Sequence, residues 1–225
     1  DFNGDGTKDV LDPGALLPVP VALPIDFAGS LELLLAGSVT GTGAGTGDAA
    51  GLSNVLLAFG PVTIGGTAAF ALERRTLDVD SDGNGTADLL GATVQTVALS
   101  VSDVAVVVEG VAQLRVSGKL ALASVTAAGQ TVASYSALKM GDVTVVTEAV
   151  SGSFALTGAL TISRLELNNG ATPSSPRLNW ARAFDFNGDG TKDVLDPGAL
   201  LPVPVALPID FAGSLELLAT GRPAE

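Results

Sequence analysis

The 225-residue chain contains no cysteine and no histidine. Without cysteine it has no disulfide framework, no thiolate nucleophile and no sulfur ligand for zinc. Without histidine it lacks the commonest general base and the commonest ligand for zinc and copper. Any metal site is therefore expected to hold a hard cation through oxygen ligands.

Aromatic residues and positive charges are also scarce. Aromatic residues make up 4% of the chain, whereas hydrophobic residues make up 47%, so its apolar mass comes mainly from Val, Leu and Ala. This composition favours thin, closely packed sheets over an enzyme core, and no enzymatic activity is expected. The net charge of −13 argues against a nucleic-acid partner, because neutralising phosphates requires Lys and Arg. Four prolines interrupt the most apolar stretch, Val10 to Leu35, so no membrane span is expected.

An internal repeat dominates the organisation of the chain. Residues 1–34 recur without a change at residues 185–218, an offset of 184 positions. A period of this length predicts whole domains joined in tandem rather than the coils of a solenoid. We therefore expect an excerpt of a longer array. Residues 1–184 would form one unit, with a calcium loop and proline-rich junction at 1–24 and a β domain at 25–184, and residues 185–225 would begin the next unit.

The segment PGALLPVPVALPIDF follows the first loop and contains four prolines. Its composition favours an extended, polyproline-like conformation. Two interpretations remain open. The segment either packs on a sheet edge or at the junction between units, or serves as a stiff spacer.

Most of the remaining sequence alternates with a period of two. Phe70 and Leu72 alternate with alanines, and Val97, Leu99 and Val101 alternate with small or polar residues. Such alternation predicts sheets with one buried face. Breaks in parity predict bulges or turns at 102–103 and 163–164. The fold class is therefore predicted to be all-β, either an antiparallel β-sandwich or an elongated β-roll.

The sequence DFNGDGTKDVLD at residues 1–12 has the ligand spacing of an EF-hand loop, with glycine at its sixth position. Alternate side chains of such a loop point inward, and position 7 contributes a backbone carbonyl. The loop resembles those of dockerin modules, which end in Asp where an EF-hand ends in Glu. The resemblance covers only these 12 residues, because Pro13 and Gly14 follow where a dockerin continues into a helix. The candidate ligands are Asp1, Asn3, Asp5, Thr7, Asp9 and Asp12, and in the second copy Asp185, Asn187, Asp189, Thr191, Asp193 and Asp196.

A further loop, LDVDSDGNGTADLL, has similar spacing but glycine at its twelfth position, so Asp78 or water would have to complete the shell. The three loops together hold 12 of the 24 acidic residues, and the other 12 nearly balance the 11 Lys and Arg. Carboxylates clustered in this way repel one another unless a cation neutralises them, which predicts bound Ca²⁺. The alternative is a solvated Asp/Gly turn. The candidate ligands of this loop are Asp78, Asp80, Asp82, Asn84, Thr86 and Asp88.

The chain as a whole resembles the repeat regions of very large bacterial surface and biofilm proteins. The shared features are near-identical long repeats, absence of cysteine, strands rich in Thr, Val, Ala and Gly, and Asp-rich loops. The resemblance implies an extracellular or cell-surface fibre or adhesin. Neighbouring copies of the repeat would be its partners, joined either in tandem alone or in tandem and by lateral self-assembly, and calcium would stiffen the junctions. Two alternatives are a calcium-dependent carbohydrate-binding or adhesive module and a spacer domain of a large secreted hydrolase.

Overall fold

The computed structural model describes residues 6–27, 29–59, 62–108, 112–148, 158–172, 175–213, 215 and 217–223. The described secondary structure consists of eight strands and three 3-10 turns. The strands are β1 (Leu31–Thr40), β2 (Val55–Phe59), β3 (Val62–Val79), β4 (Leu89–Val108), β5 (Ala112–Thr126), β6 (Tyr135–Glu148), β7 (Gly158–Gly170) and β8 (Leu217–Pro223). The turns are Pro13–Leu16, Gly47–Ala49 and Pro197–Leu200.

All eight strands belong to one antiparallel sheet with the order β1-β3-β4-β5-β6-β7-β8. The short strand β2 pairs with β3 beyond the end of β1. The predicted all-β class is confirmed. A second sheet facing this one, as in a sandwich, is not present among the described residues.

The two predicted irregularities lie inside long strands. The pairing of β4 with β5 shifts register between Val101 and Val104, and Asp103 there has a φ of 54°. The pairing of β7 with β8 shifts between Ile162 and Arg164. Both shifts coincide with the breaks in parity, because an extra residue in one strand reverses which side chains face the core.

The two faces of the sheet differ in the size of their side chains. The covered face carries small residues along its centre, among them Ala71, Ala98, Ala121, Ala123 and Ala137. The opposite face carries the large hydrophobic residues. Several of these line one concave cavity of about 480 Å³, including Leu72, Val97, Leu122, Leu138 and Leu167.

An irregular segment covers the small-residue face and supplies the large side chains of the core. Trp180, Phe184 and Ile209 are fully buried there, and they cluster with Val94 and Val125 from the sheet. Alanine on the sheet allows this segment to approach closely, so the bulky side chains fill the interface from one side. We call residues 185–211 of this segment the cap. It lies entirely within the second copy of the repeated sequence.

Helical structure in the described residues is confined to the three 3-10 turns. None of them is long or apolar enough to cross a membrane.

Candidate metal loops and the packed second copy

The loop between β3 and β4 is organised by the Asp80 carboxylate. One of its oxygens accepts hydrogen bonds from the backbone N–H groups of Gly83 and Asn84, at 2.8 and 3.1 Å, and the other accepts from Gly85 at 2.7 Å. Gly83 and Gly85 have φ values of 74° and 98°, in the left-handed region that favours glycine. Asp88 accepts from both the amide and the hydroxyl of Ser81, which draws the two ends of the loop together.

The second copy repeats this geometry with different residues. Asp185 accepts from the backbone of Gly188, Asp189 and Gly190, at 2.7, 3.2 and 2.8 Å. Gly188 and Gly190 have φ values of 73° and 84°, and Asp193 accepts from Phe186 as Asp88 does from Ser81. Although the two sequences differ, their shared Asp and Gly positions produce one wrapped loop conformation.

Three carboxylates of these loops, Asp80, Asp88 and Asp189, have a lowered pKa. Burial raises the pKa of Asp80, but hydrogen bonds from Gly85 and Gly83 and the ammonium of Lys192 outweigh it, so the pKa lies below its ordinary value. The hydroxyl and amide of Ser81 lower the pKa of Asp88. Hydrogen bonds from the Thr191 amide and the Asn187 side chain lower that of Asp189.

The structure brings the β3–β4 loop and the second-copy loop together. Lys192 Nζ lies 3.3 Å from an oxygen of Asp80, whose side chain is completely buried, and the Asp80 amide donates to the carbonyl of Ala183. The exposed carboxylates of the two loops, Asp82 and Asp189, hydrogen-bond to Asn84 and Asn187 of their own loops. Lys192 was not among the predicted site residues, although its position among the four aspartates of its own loop is visible in the sequence.

The predicted closing ligands hold the backbone around them. Asp196, at position 12 of the second copy, caps the turn Pro197–Leu200 by accepting from the amide of Gly198, and it also accepts from Leu207 at 2.9 Å. Asp12 makes the same two bonds, to Gly14 and Leu23, in the first copy. The sequence Asp-Pro-Gly signals this role, because a helical turn favours Asp at its N-cap and Pro directly after it. Asp78 accepts from the amide of Gly91 and so spans the base of its loop.

The fit of these loops to a cation is partial. Each loop offers side-chain oxygen ligands, which suit a hard cation. These ligands stand at positions 80, 82, 84 and 88, and at positions 185, 187, 189 and 193. Asp196, at the twelfth position, is engaged with two backbone amides, and Asp80 already has Lys192 as a counter-ion. Within the described ranges no three acidic side chains converge into a group that could hold a metal. In the first copy Asp1, Asn3 and Asp5 lie outside the described residues, and Thr7 and Asp9 are exposed. Thr86 and Thr191 occupy position 7 of their loops, which contributes a backbone carbonyl to the ion in an EF-hand loop.

Two residues that the sequence did not single out hold the irregular segment to the sheet. Asn168 of β7 is fully buried and donates to the carbonyl of Leu178 at 3.1 Å, while its oxygen accepts from Trp180 Nε1 at 2.9 Å. Lys139 of β6 donates to the carbonyl of Pro208 at 2.6 Å and pairs with the buried Glu166 at 3.4 Å. No local pattern in the sequence marks these two residues, because the carbonyl groups they contact lie 10 and 69 positions away.

No protein-family model, curated protein or solved structure matches the chain.

Proposed function

We propose that the chain is a structural repeat of a secreted or surface-attached fibre or adhesin, in which calcium stiffens the junctions between repeats. The observation that carries this proposal is the packing of the second copy. The second copy, which would begin the next repeat, forms the cap on the sheet of the preceding unit. A repeat boundary that is buried in this way joins successive units rigidly, which suits a spacer or fibre better than a flexible string of domains.

Calcium would act at the two neighbouring Asp-rich loops. Their eight aspartates are Asp78, Asp80, Asp82, Asp88, Asp185, Asp189, Asp193 and Asp196, and Lys192 contributes an opposing charge. Binding would require the loop carboxylates to turn from backbone amides toward the ion, and it would relieve their mutual repulsion. Because the second-copy loop forms the first part of the cap, a bound ion would stabilise the cap as well.

The carbohydrate-binding alternative calls for exposed aromatic side chains. Among the described aromatic residues, Trp180, Phe184 and Phe211 are buried in the core, where a sugar could not stack on them, whereas Phe27 is 69% exposed. The hydrolase-spacer alternative also calls for a stiff, non-catalytic module, and it differs from our proposal only in what lies elsewhere in the polypeptide.

Thermal unfolding in millimolar calcium and in chelator tests the proposal. We expect calcium to raise the melting temperature, and Asp189→Asn to reduce that rise, because it removes a carboxylate from the loop that forms the first part of the cap. Asp142→Asn is the matched control. This exposed aspartate lies outside the loops at a φ of 52°, a conformation that Asn tolerates. If calcium has no effect on any of the three proteins, calcium stiffening is refuted.

A further inference from the structure

The two copies of the repeated sequence adopt the same local conformation in different surroundings. In each copy Asp caps a Pro-Gly-Ala-Leu turn, Val donates back to the glycine carbonyl, and a β-bridge joins a leucine to an isoleucine. The paired bridges are Leu11 to Ile25 and Leu195 to Ile209. The shape of the cap is therefore fixed by its own hydrogen bonds and does not require the sheet.

The exposure of the two copies differs at the positions that face the sheet. Leu195, Ile209 and Phe211 are 3%, 0% and 2% exposed, whereas their counterparts Leu11, Ile25 and Phe27 are 51%, 47% and 69% exposed. Val203 and Val19 are 74% and 77% exposed, so the outer side of the segment is the same in both copies. Residues 6–27 thus present a preformed apolar surface, and the cap shows what covers that surface when it is buried.

In the second copy, the small-residue face of strands β3–β7 covers the equivalent apolar surface. Leu201 packs against Ala71 and Ala98, and Leu207 belongs to the cluster built on Val94, Ala121 and Val125. Lys139 adds polar contacts to the Pro208 carbonyl and to Asp210, whose counterparts in the first copy are Pro24 and Asp26. The sheet of this chain is already occupied by its own cap, so the partner must be the sheet of another copy of the unit.

The strands that follow the two copies have complementary free edges. β1 and β8 lie at opposite ends of the sheet and run in the same direction, since the strands between them alternate. Leu34 pairs with Glu73, and its counterpart Leu218 pairs with Glu166; both glutamates are buried on the covered face. β1 and β8 therefore turn the same face toward the cap. β1 pairs with β3 through one edge, whereas β8 pairs with β7 through the opposite edge. A single strand can therefore pair with a β7 on one edge and with a β3 on the other.

We propose that residues 6–40 pack on the sheet of another copy of this unit as residues 190–223 pack on the sheet described above. The first-copy segment would cap the small-residue face of that sheet while β1 pairs with its β7. Successive units would then share one strand and form a continuous antiparallel sheet. This inference rests on the tandem organisation in the proposed function, but it requires no metal.

Single cysteines test the proposal, because the chain has no other thiol. Two proteins are compared. One is the 225-residue chain alone, and the other is a longer chain in which residues 1–184 are followed by residues 1–225. We expect Leu17→Cys in the downstream copy to react with a thiol reagent about 100-fold more slowly in the longer chain, since a buried thiol reacts only through local opening. Leu201→Cys in the 225-residue chain gives the buried reference, because Leu201 is 3% exposed against 47% for Leu17.

Val19→Cys is the control within the same segment. We expect it to react rapidly in both chains, as does Val203→Cys, because this position is exposed in both copies. Hydrogen exchange of the unsubstituted longer chain gives an independent reading, in which amides of residues 31–40 exchange more slowly once β1 is paired on both edges.

Equal reaction of Leu17→Cys in the two chains, or protection that appears only at high protein concentration, would overturn the proposal. A calcium-dependent melting temperature without this protection would leave the proposed function standing and refute the shared strand. Protection that is unchanged by chelator would support the shared strand even where calcium has no effect on stability.

Discussion

Leu23 and Leu207 offer a matched pair of substitutions within one molecule. They occupy the same position in the two copies, and the amide of each donates to an aspartate, Asp12 or Asp196, at 2.8 and 2.9 Å. Alanine preserves that backbone bond in both. The environments differ, because Leu207 is 3% exposed where the cap packs on the sheet, whereas Leu23 is 54% exposed.

The expected effects follow from this difference in burial. Replacing a buried leucine by alanine costs about 2–5 kcal/mol, since the transfer free energy is lost and a cavity remains. A surface substitution of this kind changes stability by no more than about 0.5 kcal/mol. For a chain of this size each kcal/mol shifts the melting temperature by about 2–4 °C. A cost of about 3 kcal/mol therefore lowers the melting temperature of Leu207→Ala by roughly 6–12 °C, with little change for Leu23→Ala.

Trp180 provides the assay. It is the single tryptophan, it is fully buried, and it belongs to the same core cluster as Leu207, so its fluorescence follows release of the cap. Melting curves of the two variants and the parent protein are compared in the same buffer. Equal shifts for Leu207→Ala and Leu23→Ala would refute the packing of the second copy on the sheet.

Two further substitutions probe the polar contacts. Asn168→Ala leaves Trp180 Nε1 and the Leu178 carbonyl without their buried partner, so we expect a loss of about 1–3 kcal/mol and a weaker near-ultraviolet signal from Trp180, with exposed Asn169→Ala as the control. The folded-state pKa of Asp80 is lowered, so its carboxylate stabilises the protein above the unfolded pKa of about 3.9, and this contribution is lost as the pH falls through the folded pKa. Asp80→Asn should therefore unfold at a lower temperature at neutral pH and lose less stability on acidification; an unchanged pH profile would contradict this role.

The strands were predictable because a period of two is a local property of the sequence. The register shifts after Val101 and after Ile162 were visible as breaks in that period. Which face is buried was not predictable in the same way. Larger residues such as Leu122 favour the core on hydropathy alone, yet Leu122 is 40% exposed and its neighbours Ala121 and Ala123 are buried. The cap supplies the bulk, and the pattern within a strand carries no information about a segment about 80 residues away.

The wrapped loops were predictable from their Asp and Gly spacing, but the duties of their carboxylates were not. An EF-hand alignment assigns Asp196 to the ion by position, whereas Pro197 and Gly198 form the turn that it caps. The buried partners Asn168 and Lys139 depend on contacts 10 and 69 residues away in sequence, which a local motif cannot show.

The two proposed sources of stiffness can be separated because they involve largely different atoms. Pairing of β8 with β7 uses backbone groups, and apolar packing together with Lys139 holds the cap to the sheet. Lys192 of the cap also pairs with Asp80, a carboxylate of the β3–β4 loop. If both proposals hold, chelation should loosen residues 78–91 and 185–196 while the shared sheet persists. Hydrogen exchange in chelator should then rise in the loops and remain slow in β7. Joint loss of protection in the loops and in β7 would mean that the ion stabilises the sheet itself, and that the strand pairing alone does not keep the junction rigid.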